Sequence, residues 1–524
     1  MLAASPLEAT RWWSFLGRRF ATALVVAIAF VSGLAGSFRD RPLETHEVYV
    51  AQTAREMMAA GDFVRPVFNA VARLNKPPLM YWCVIGVAKI LPGSGAASVQ
   101  PWVARLPSAF ASALMAWFAV MLGTAVYGRG FGQFGALLGI GTVGWLSYSN
   151  NARPEMLYAA LSVGMLACWA TALGLNGREG GLARARTSRF WALAGWVCAG
   201  AALLAKGPQI PVCLMVGVAT FALVERRGRE AWRTLRPLLG VPIMLAVAIP
   251  WVVAVLLREP GAAQAWTNDL FAGRQADEHK GVLNYFDPFY LYAVPGLILP
   301  WALLLPFGIA SVFVKDRADL RAGRVLFWPT VVTVLIMGFS VHRRDYYMLA
   351  LMPLMTLLCT RGVLDWMANW KSAVARGMGP LGLLWAALIC IWVCVGLGST
   401  SFVWGTKRFR DASFAAAAAA QIRPGDEIWC FRTDFAKLVY ALNRRVQVVD
   451  DEAAGFPELS LPTMGDQFVL TTIDAWEAEM ARRRSVAGLA CISTTEVARV
   501  EMHPGDNRDV LLKVTAPRSA TPPP

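Results

Sequence analysis

The chain has 524 residues, of which 56% are hydrophobic and 16% are charged, and its mean hydropathy is +0.45. Soluble domains carry about 25% charged residues, so this composition excludes an ordinary soluble protein and indicates a polytopic α-helical membrane protein. The net charge of +15 does not indicate a nucleic-acid partner, because the basic residues cluster in short loops beside apolar runs, as topology signals do. No Cys or His spacing typical of a metal site is present.

The apolar runs predict eleven transmembrane helices, each close to the roughly 20 residues that a span requires. We expect the first run to be retained, because Ala35-Gly36-Ser37 is a poor cleavage site. The predicted spans are about 20–37, 103–126, 131–149, 155–175, 190–205, 208–224, 237–256, 290–314, 325–341, 346–361 and 379–403.

The apolar stretch Pro78–Leu91 has only about 14 residues, too few to cross a bilayer. If it does not cross, all five basic clusters lie on the cytoplasmic side, together with the N-terminus. We therefore predict a half-buried or re-entrant helix at this position. The segments then predicted on the outer face are the loop 38–102, 149–155, 206–208, 257–289, 342–345 and everything after 403.

The chain after the last span changes character. Short apolar strands alternate with helices between residues 415 and 514, a pattern that predicts a small α/β domain. We therefore divide the chain into a transmembrane domain, 1–404, and an outer (periplasmic) domain, 405–524.

The first outer loop concentrates polar residues, Tyr49 among them, and its first helix is predicted from His46 to Ala60, with Thr45 as the N-cap. Glu44 and Glu47 are three residues apart and can point to one side of the first turn. A carboxylate there could act as a general base. Alternatively, Glu47 only complements the helix N-terminus, the interpretation favoured from this segment alone. His46 is equally ambiguous.

Three cations fall on the predicted outer face: Lys76 before Pro77-Pro78, Lys206 in a tight hairpin, and Arg344. Such side chains suit a phosphate, although all three could instead serve lipid headgroups. Glu155 begins a span there, and either pairs with Arg153 or hydrogen-bonds a substrate.

The loop 257–289, which contains His279, could order over a membrane site when substrate binds. The alternative for this loop is a solvated charge run, and the loop by itself favours that alternative.

The motifs REMMAAGDFVRPVFN and RLNKPPLMYW, followed in order by WVARLPSAFAS, NARPEMLYAAL, LLAKGPQI, PFYLYAVPGLILPW and RRDYYMLALMP, are similar to those of a known family. The chain resembles bacterial membrane glycosyltransferases of the GT-C class, which include the aminoarabinose transferases acting on lipid A and the protein O-mannosyltransferases. The resemblance extends from about Arg39 to Pro353.

The resemblance implies transfer of a monosaccharide from a polyprenyl-phosphate donor to a lipid A-like or other cell-envelope acceptor, by inverting displacement, at the inner membrane. It implies a catalytic carboxylate in the first outer loop. The family usually has an Asp-Glu pair where this chain has His46-Glu47, so Glu47 is the first candidate, Glu44 the second and His46 a possible participant.

The resemblance also assigns Lys76, Lys206 and Arg344 to the donor phosphate, and places Glu155, His279 and Tyr347 around the sugar or acceptor. No cofactor is required if lysine and arginine supply the positive charge, although some relatives bind a divalent ion. The alternatives are a non-enzymatic transporter of lipid-linked sugars, which predicts polar residues on both faces, and a structural protein whose outer domain binds a partner.

Overall fold

The computed structural model describes residues 18–37, 42–91, 99–175, 182–267, 288–314, 322–339, 343–369, 372–397, 414–431, 435–449, 466–485, 493–499 and 509–515. The predicted site residue His279 and most of its loop lie outside these residues. Helices dominate, and they are Arg19–Ser37 (α1), Thr45–Ala60 (α2), Leu79–Ile90 (α3), Pro101–Val126 (α4), Arg129–Ile140 (α5), Val143–Ser149 (α6), Glu155–Leu173 (α7), Leu182–Ala205 (α8), Gln209–Val224 (α9), Gly228–Leu235 (α10), Pro237–Arg258 (α11), Phe289–Leu297 (α12), Leu305–Ser311 (α13), Arg324–Gly338 (α14), Met352–Ala368 (α15) and Ala373–Leu397 (α16).

Five helices of the described chain are long and apolar enough to cross a membrane, or six if one bent pair forms a single span. Several others, such as α9 and α14, are apolar but shorter. Polar contacts join some of the described helices across long stretches of sequence. The Ser112 hydroxyl, for example, donates to the Ala29 carbonyl at 3.1 Å and accepts from the Trp145 indole at 2.8 Å. The protein is therefore a multi-helix membrane protein, and the count of eleven spans stays a prediction.

Two predicted spans are interrupted. The run 131–149 forms α5 and α6, because Thr142 caps a new helix by accepting from the Trp145 amide. The run 290–314 forms α12, a 3₁₀ turn Trp301–Leu304 and α13, with a bend of 107° between the first helix and the rest. Pro300 lies at this bend and has no amide hydrogen to continue the helix.

The short helix α3 occupies the stretch predicted to be half-buried. Its 12 residues extend about 18 Å, well below the roughly 30 Å of a hydrocarbon core. Buried side chains such as Met80, Tyr81 and Val84 pack it onto its neighbours α2 and α4. The length agrees with a segment that does not cross, while its depth in the bilayer stays a prediction.

The residues after 414 form a mixed five-stranded sheet with two named helices. The strands are Glu427–Phe431 (β3), Gln447–Val449 (β4), Gln467–Thr472 (β5), Ser493–Arg499 (β6) and Asp509–Thr515 (β7), after a two-stranded hairpin, Val67–Phe68 (β1) and Val71–Ala72 (β2), in the first outer loop. The sheet order is β4-β3-β5-β7-β6. The first three strands are parallel to one another, and β7 is antiparallel to both of its neighbours, β5 and β6. The helices are Ala436–Leu442 (α17) and Ile473–Ser485 (α18).

This sheet unit is attached to the first outer loop through Arg55. The buried guanidinium donates to the carbonyls of Tyr440, at 3.0 Å, and Val99, at 3.0 Å. It also lies 3.8 Å from the centre of the Tyr440 ring, whose hydroxyl donates to the same Val99 carbonyl. The outer loop, rather than the transmembrane helices, therefore positions the C-terminal unit.

Candidate active site

The helix α2 begins one residue earlier than the sequence predicted. Glu44, not Thr45, is the N-cap, and Thr45 is the first helical residue. A reciprocal capping box explains the shift: the Glu44 side chain accepts from the Glu47 amide, while the Glu47 carboxylate accepts from the Glu44 amide at 2.9 Å. The helix ends at Gly61, which adopts a left-handed conformation with φ of 66°.

The Glu47 carboxylate is completely buried and accepts four hydrogen bonds from within the protein. Oε1 accepts from Arg105 Nε at 2.8 Å and from the Ala152 amide at 2.9 Å. Oε2 accepts from Arg105 Nη2 at 3.0 Å and from the Glu44 amide. Glu47 therefore ties α2 to α4 and to the loop before α7, and its oxygens face away from any open cavity.

Arg105 was not singled out from the sequence as a site residue. A signal was present, since it is a lone arginine near the start of the apolar run 103–126, and ionisable residues in such runs have specific partners. What the sequence did not indicate is that the partner would be Glu47, 58 residues earlier in the chain.

His46 is the exposed member of the three candidates and lines a small cavity at one end of the helices. Partial burial of its ring lowers the pKa of His46 below 6.5, and the charges of Arg153 and Lys76 lower it further, against an opposing effect of Glu44. At neutral pH the imidazole is therefore uncharged and can accept a proton. The cavity is lined by His46, Tyr49, Val50, Arg73, Lys76, Pro77, Met80, Tyr81, Arg153, Pro154, Glu155 and Tyr346.

Glu155, at the first turn of α7, holds two cations in this wall. Its Oε1 lies 2.9 Å from Lys206 Nζ, and its carboxylate also accepts two hydrogen bonds from Arg153 at 3.3 Å. The Glu155 and Lys206 side chains are almost fully buried. The sequence left open whether Glu155 pairs with Arg153 or contacts a substrate, and the structure shows the pairing, extended to Lys206.

Two tyrosines enclose Lys206. Its ammonium lies 3.7 Å from the centre of the Tyr346 ring and 4.7 Å from that of Tyr347. Burial lowers the pKa of Lys206 to about 8, while the neighbouring Glu155 acts in the opposite direction. The lysine therefore remains charged near neutrality and loses its proton only a little above it.

Lys76 and Tyr49 reach the same cavity from the first outer loop. The Arg73 guanidinium lies 4.0 Å above the Tyr49 ring, which fixes that ring between the cavity and the β1–β2 hairpin. Arg344 is placed differently: it is exposed, caps the 3₁₀ turn Asp345–Leu351, and is absent from the cavity wall. Of the three predicted phosphate-binding cations, the structure thus places Lys76 in the cavity wall, Lys206 just behind Glu155 and Arg344 outside.

Sequence reasoning missed Arg73 and Tyr346 as components of this wall. Both lie inside motifs that were recognised, RLNKPPLMYW and RRDYYMLALMP, but neither motif indicates which of its residues faces inward. Within the described ranges, no group of three His, Cys, Asp or Glu side chains could hold a metal ion.

A bundle of apolar helices with a polar cavity at one end, next to a small mixed sheet, defines the class of the protein: it has the GT-C fold. The crystal structures of ArnT from Cupriavidus metallidurans superpose on nearly the whole chain. The apo form has a TM-score of 0.70 at 21% identity and covers 94% of this chain and 97% of the other. The form bound to undecaprenyl phosphate has a TM-score of 0.69 at 19% identity, with coverage of 96% and 98%.

Sequence comparisons agree with this fold. Residues 75–253 match the family of dolichyl-phosphate-mannose-protein mannosyltransferases. The undecaprenyl phosphate-α-4-amino-4-deoxy-L-arabinose arabinosyl transferase 1 of Pseudomonas fluorescens (strain Pf0-1) is 26% identical over 362 residues, which are 67% of this chain and 60% of that protein. Its counterpart in Shewanella sediminis is 26% identical, over 63% and 57% of the two chains.

The chain is therefore similar in sequence to aminoarabinose transferases and protein mannosyltransferases, and similar in fold to ArnT. The chain spans 54–64% of the length of the first three curated relatives it matches.

Proposed function

We propose that the chain transfers a monosaccharide from a polyprenyl-phosphate donor to a lipid A-like or other cell-envelope acceptor. The observation that carries this proposal is the convergence of a neutral imidazole, His46, with Lys76, Arg153 and the Glu155–Lys206 pair around one cavity. A base beside several cations suits the displacement of a phosphate from an anomeric carbon.

We propose His46 as the general base. Of the three candidates Glu44, His46 and Glu47, His46 is the one that lines the cavity. Glu47 already accepts four hydrogen bonds, and Glu44 takes part in the helix cap. His46 takes the proton of the acceptor hydroxyl or amine as that atom forms a bond to the anomeric carbon. The bond between that carbon and the phosphate oxygen breaks on the opposite side, and the configuration inverts.

The leaving polyprenyl phosphate keeps its negative charge, so the site must supply positive charge without donating a proton. Lys76 and Arg153 line the cavity and serve this role, with Lys206 behind them. Glu155 offsets part of their charge and holds both Arg153 and Lys206 in position. In this proposal Arg344 and Tyr347 act at the edge of the site, and Tyr49 forms part of its outer wall. Transfer from the donor requires no additional cofactor.

The proposal also assigns sidedness. The cavity faces the periplasm at the bacterial inner membrane, the N-terminus is cytoplasmic, residues 1–404 form the transmembrane domain, and residues 405–524 form a periplasmic α/β domain. Support comes from the described basic loop 226–236, which follows the end of α9 opposite to the end that adjoins Lys206.

The test uses the purified full chain in liposomes with undecaprenyl phosphate carrying radiolabelled 4-amino-4-deoxy-L-arabinose, the donor named for the relatives, and lipid A as acceptor. We expect label in the lipid A fraction, its loss in His46→Ala and Lys76→Ala, and its retention in Lys89→Ala, an exposed lysine outside the cavity. Wild-type activity in His46→Ala would remove His46 as the base. If no sugar is transferred while intact lipid-linked sugar changes leaflet, the transporter is the correct alternative.

A further inference from the structure

A second, larger cavity of about 480 Å³ lies between the first outer loop and the C-terminal sheet. We call it the hairpin groove, and its walls are Tyr49, Phe68, Asn69, Arg73, Trp266 and Phe435, with Arg445 and several apolar residues at its edge. It shares Tyr49 and Arg73 with the cavity beside His46. The two cavities therefore adjoin at these two side chains.

The walls of the groove are aromatic. The Tyr49 and Phe68 rings meet edge to face at 4.7 Å, and the Phe435 ring lies 6.0 Å from that of Phe68. The Trp266 indole donates to the Leu74 carbonyl at 2.8 Å, which fixes the orientation of its ring in the opposite wall. Aromatic faces combined with a few polar groups suit a ring-shaped ligand that has both apolar faces and polar edges, as a saccharide has.

The charge of the groove is positive. Arg73 contributes a guanidinium that lies over the Tyr49 ring and hydrogen-bonds the Tyr81 side chain. Arg445 is exposed and forms no hydrogen bond or ion pair with any described residue. Its neighbour Arg444 is instead bound to the carbonyls of Pro424 and Asp426. The described wall contains no Asp or Glu, so Arg445 lines the groove without a carboxylate partner there, and its guanidinium suits a phosphate or carboxylate.

The groove is fixed before any ligand binds. Asn69 donates to the Val446 carbonyl and accepts from the Val446 amide, both at 2.7 Å, and so joins the hairpin to the beginning of β4. The Asn69 and Ala70 amides donate to the Glu56 carboxylate at 2.9 and 3.0 Å, which holds the turn between β1 and β2. The two walls therefore keep their spacing, as a specific binding site requires.

We propose that the hairpin groove binds the acceptor as a saccharide carrying an anionic group, and that Phe435 and Arg445 make the C-terminal unit part of the acceptor site. This inference depends on the proposed function for its orientation, because the acceptor hydroxyl or amine must reach His46 past Tyr49. It gives the C-terminal unit a role in substrate recognition, separate from the donor phosphate site around Lys76.

Binding is measured apart from transfer, by the Kd of the full chain in nanodiscs for lipid A, a phosphorylated disaccharide lipid. We expect Arg445→Glu to weaken binding by about tenfold or more, as the loss of a charge-assisted hydrogen bond predicts. Arg445→Lys should weaken it less. Arg423→Glu, an exposed arginine of the same unit outside the groove, should leave the Kd unchanged. Dephosphorylated lipid A should bind wild type more weakly and lose little further affinity in Arg445→Glu.

The Kd is measured without any sugar transfer, so that a failure of the proposed base does not affect this test. An unchanged Kd in both Arg445→Glu and Phe435→Ala, or an equal loss in Arg423→Glu, would contradict the assignment. Equal competition by phosphatidylglycerol would mean that an anionic lipid surface, and not a saccharide, occupies the groove. A thermal unfolding midpoint equal to that of the wild type shows that each variant is folded.

Discussion

The Glu47 carboxylate and the Arg105 guanidinium form a two-point ion pair, with distances of 2.8 and 3.0 Å, in which neither side chain is exposed to solvent. The pair joins the first outer helix to the α4 span. The helix that carries His46 is thus fixed at its first turn, one residue away from the proposed base. Under the proposed function Glu47 is a positioning residue, which holds the turn that carries His46.

Breaking this pair should destabilise the protein. Glu47→Leu leaves the buried Arg105 charge without its partner, and we expect a loss of about 3–5 kcal/mol in the free energy of unfolding, measured in detergent by chemical denaturation. The double variant Glu47→Leu, Arg105→Leu should recover much of that loss, since an apolar pair can replace a buried ion pair. A direct catalytic role for Glu47 would instead lower kcat at unchanged stability in Glu47→Gln.

The pH dependence of kcat/KM should be bell-shaped. Because the pKa of His46 lies below 6.5, the base is protonated and inactive in acid, and the rate rises as the proton leaves, with its inflection below pH 6.5. Because the pKa of Lys206 is about 8, the rate falls above this pH as the positive charge is lost. In His46→Asp the rising limb should move to lower pH, since the ordinary Asp pKa is about 3.9. The falling limb should not move. If both limbs moved, the rising limb could not be assigned to the titration of His46.

The aromatic enclosure of Lys206 should affect donor binding through the ring of Tyr346 rather than through its hydroxyl. The ammonium lies 3.7 Å from the ring centre, where a cation–π contact contributes about 1 kcal/mol, or roughly a fivefold change in affinity. Tyr346→Leu should therefore raise the KM for the polyprenyl-phosphate donor about fivefold, while Tyr346→Phe should leave it near the wild-type value. An equal effect of both substitutions would assign the contribution to the hydroxyl.

The two hydrogen bonds between Asn69 and Val446 should determine whether the C-terminal unit stays attached to the first outer loop. Asn69 has a φ of 56°, so Asn69→Gly keeps the turn conformation and removes only the two hydrogen bonds to Val446. We expect faster amide exchange at β4 and a higher KM for the acceptor, with an unchanged KM for the donor. Asn69→Ala adds backbone strain to the same loss and should show the larger effect. Unchanged exchange at β4 in Asn69→Gly would show that Arg55 alone holds the unit.

Much of the architecture could be predicted from local sequence properties. Hydropathy over about 20 residues predicted a helical membrane protein, and the short run Pro78–Leu91 predicted a helix too short to cross, found as Leu79–Ile90. The pairing of Glu155 with Arg153 was among the alternatives, because Arg153 is close in sequence and precedes the helix that Glu155 begins. Such properties depend on neighbours in the chain, and the sequence therefore contains them directly.

The function of each polar residue depended on partners distant in the chain. Glu44, His46 and Glu47 are almost adjacent in sequence, yet a capping contact holds the first and Arg105 buries the last, which leaves the imidazole at the cavity. Lys206 is 51 residues from the Glu155 that holds it, and the hairpin groove joins residue 73 to residue 445. Burial and ion pairing are set by such long-range contacts, because the dielectric environment of a charge depends on everything packed around it. The sequence by itself determined the membrane bundle and its set of charged residues, and only the tertiary structure decided which of them face a substrate.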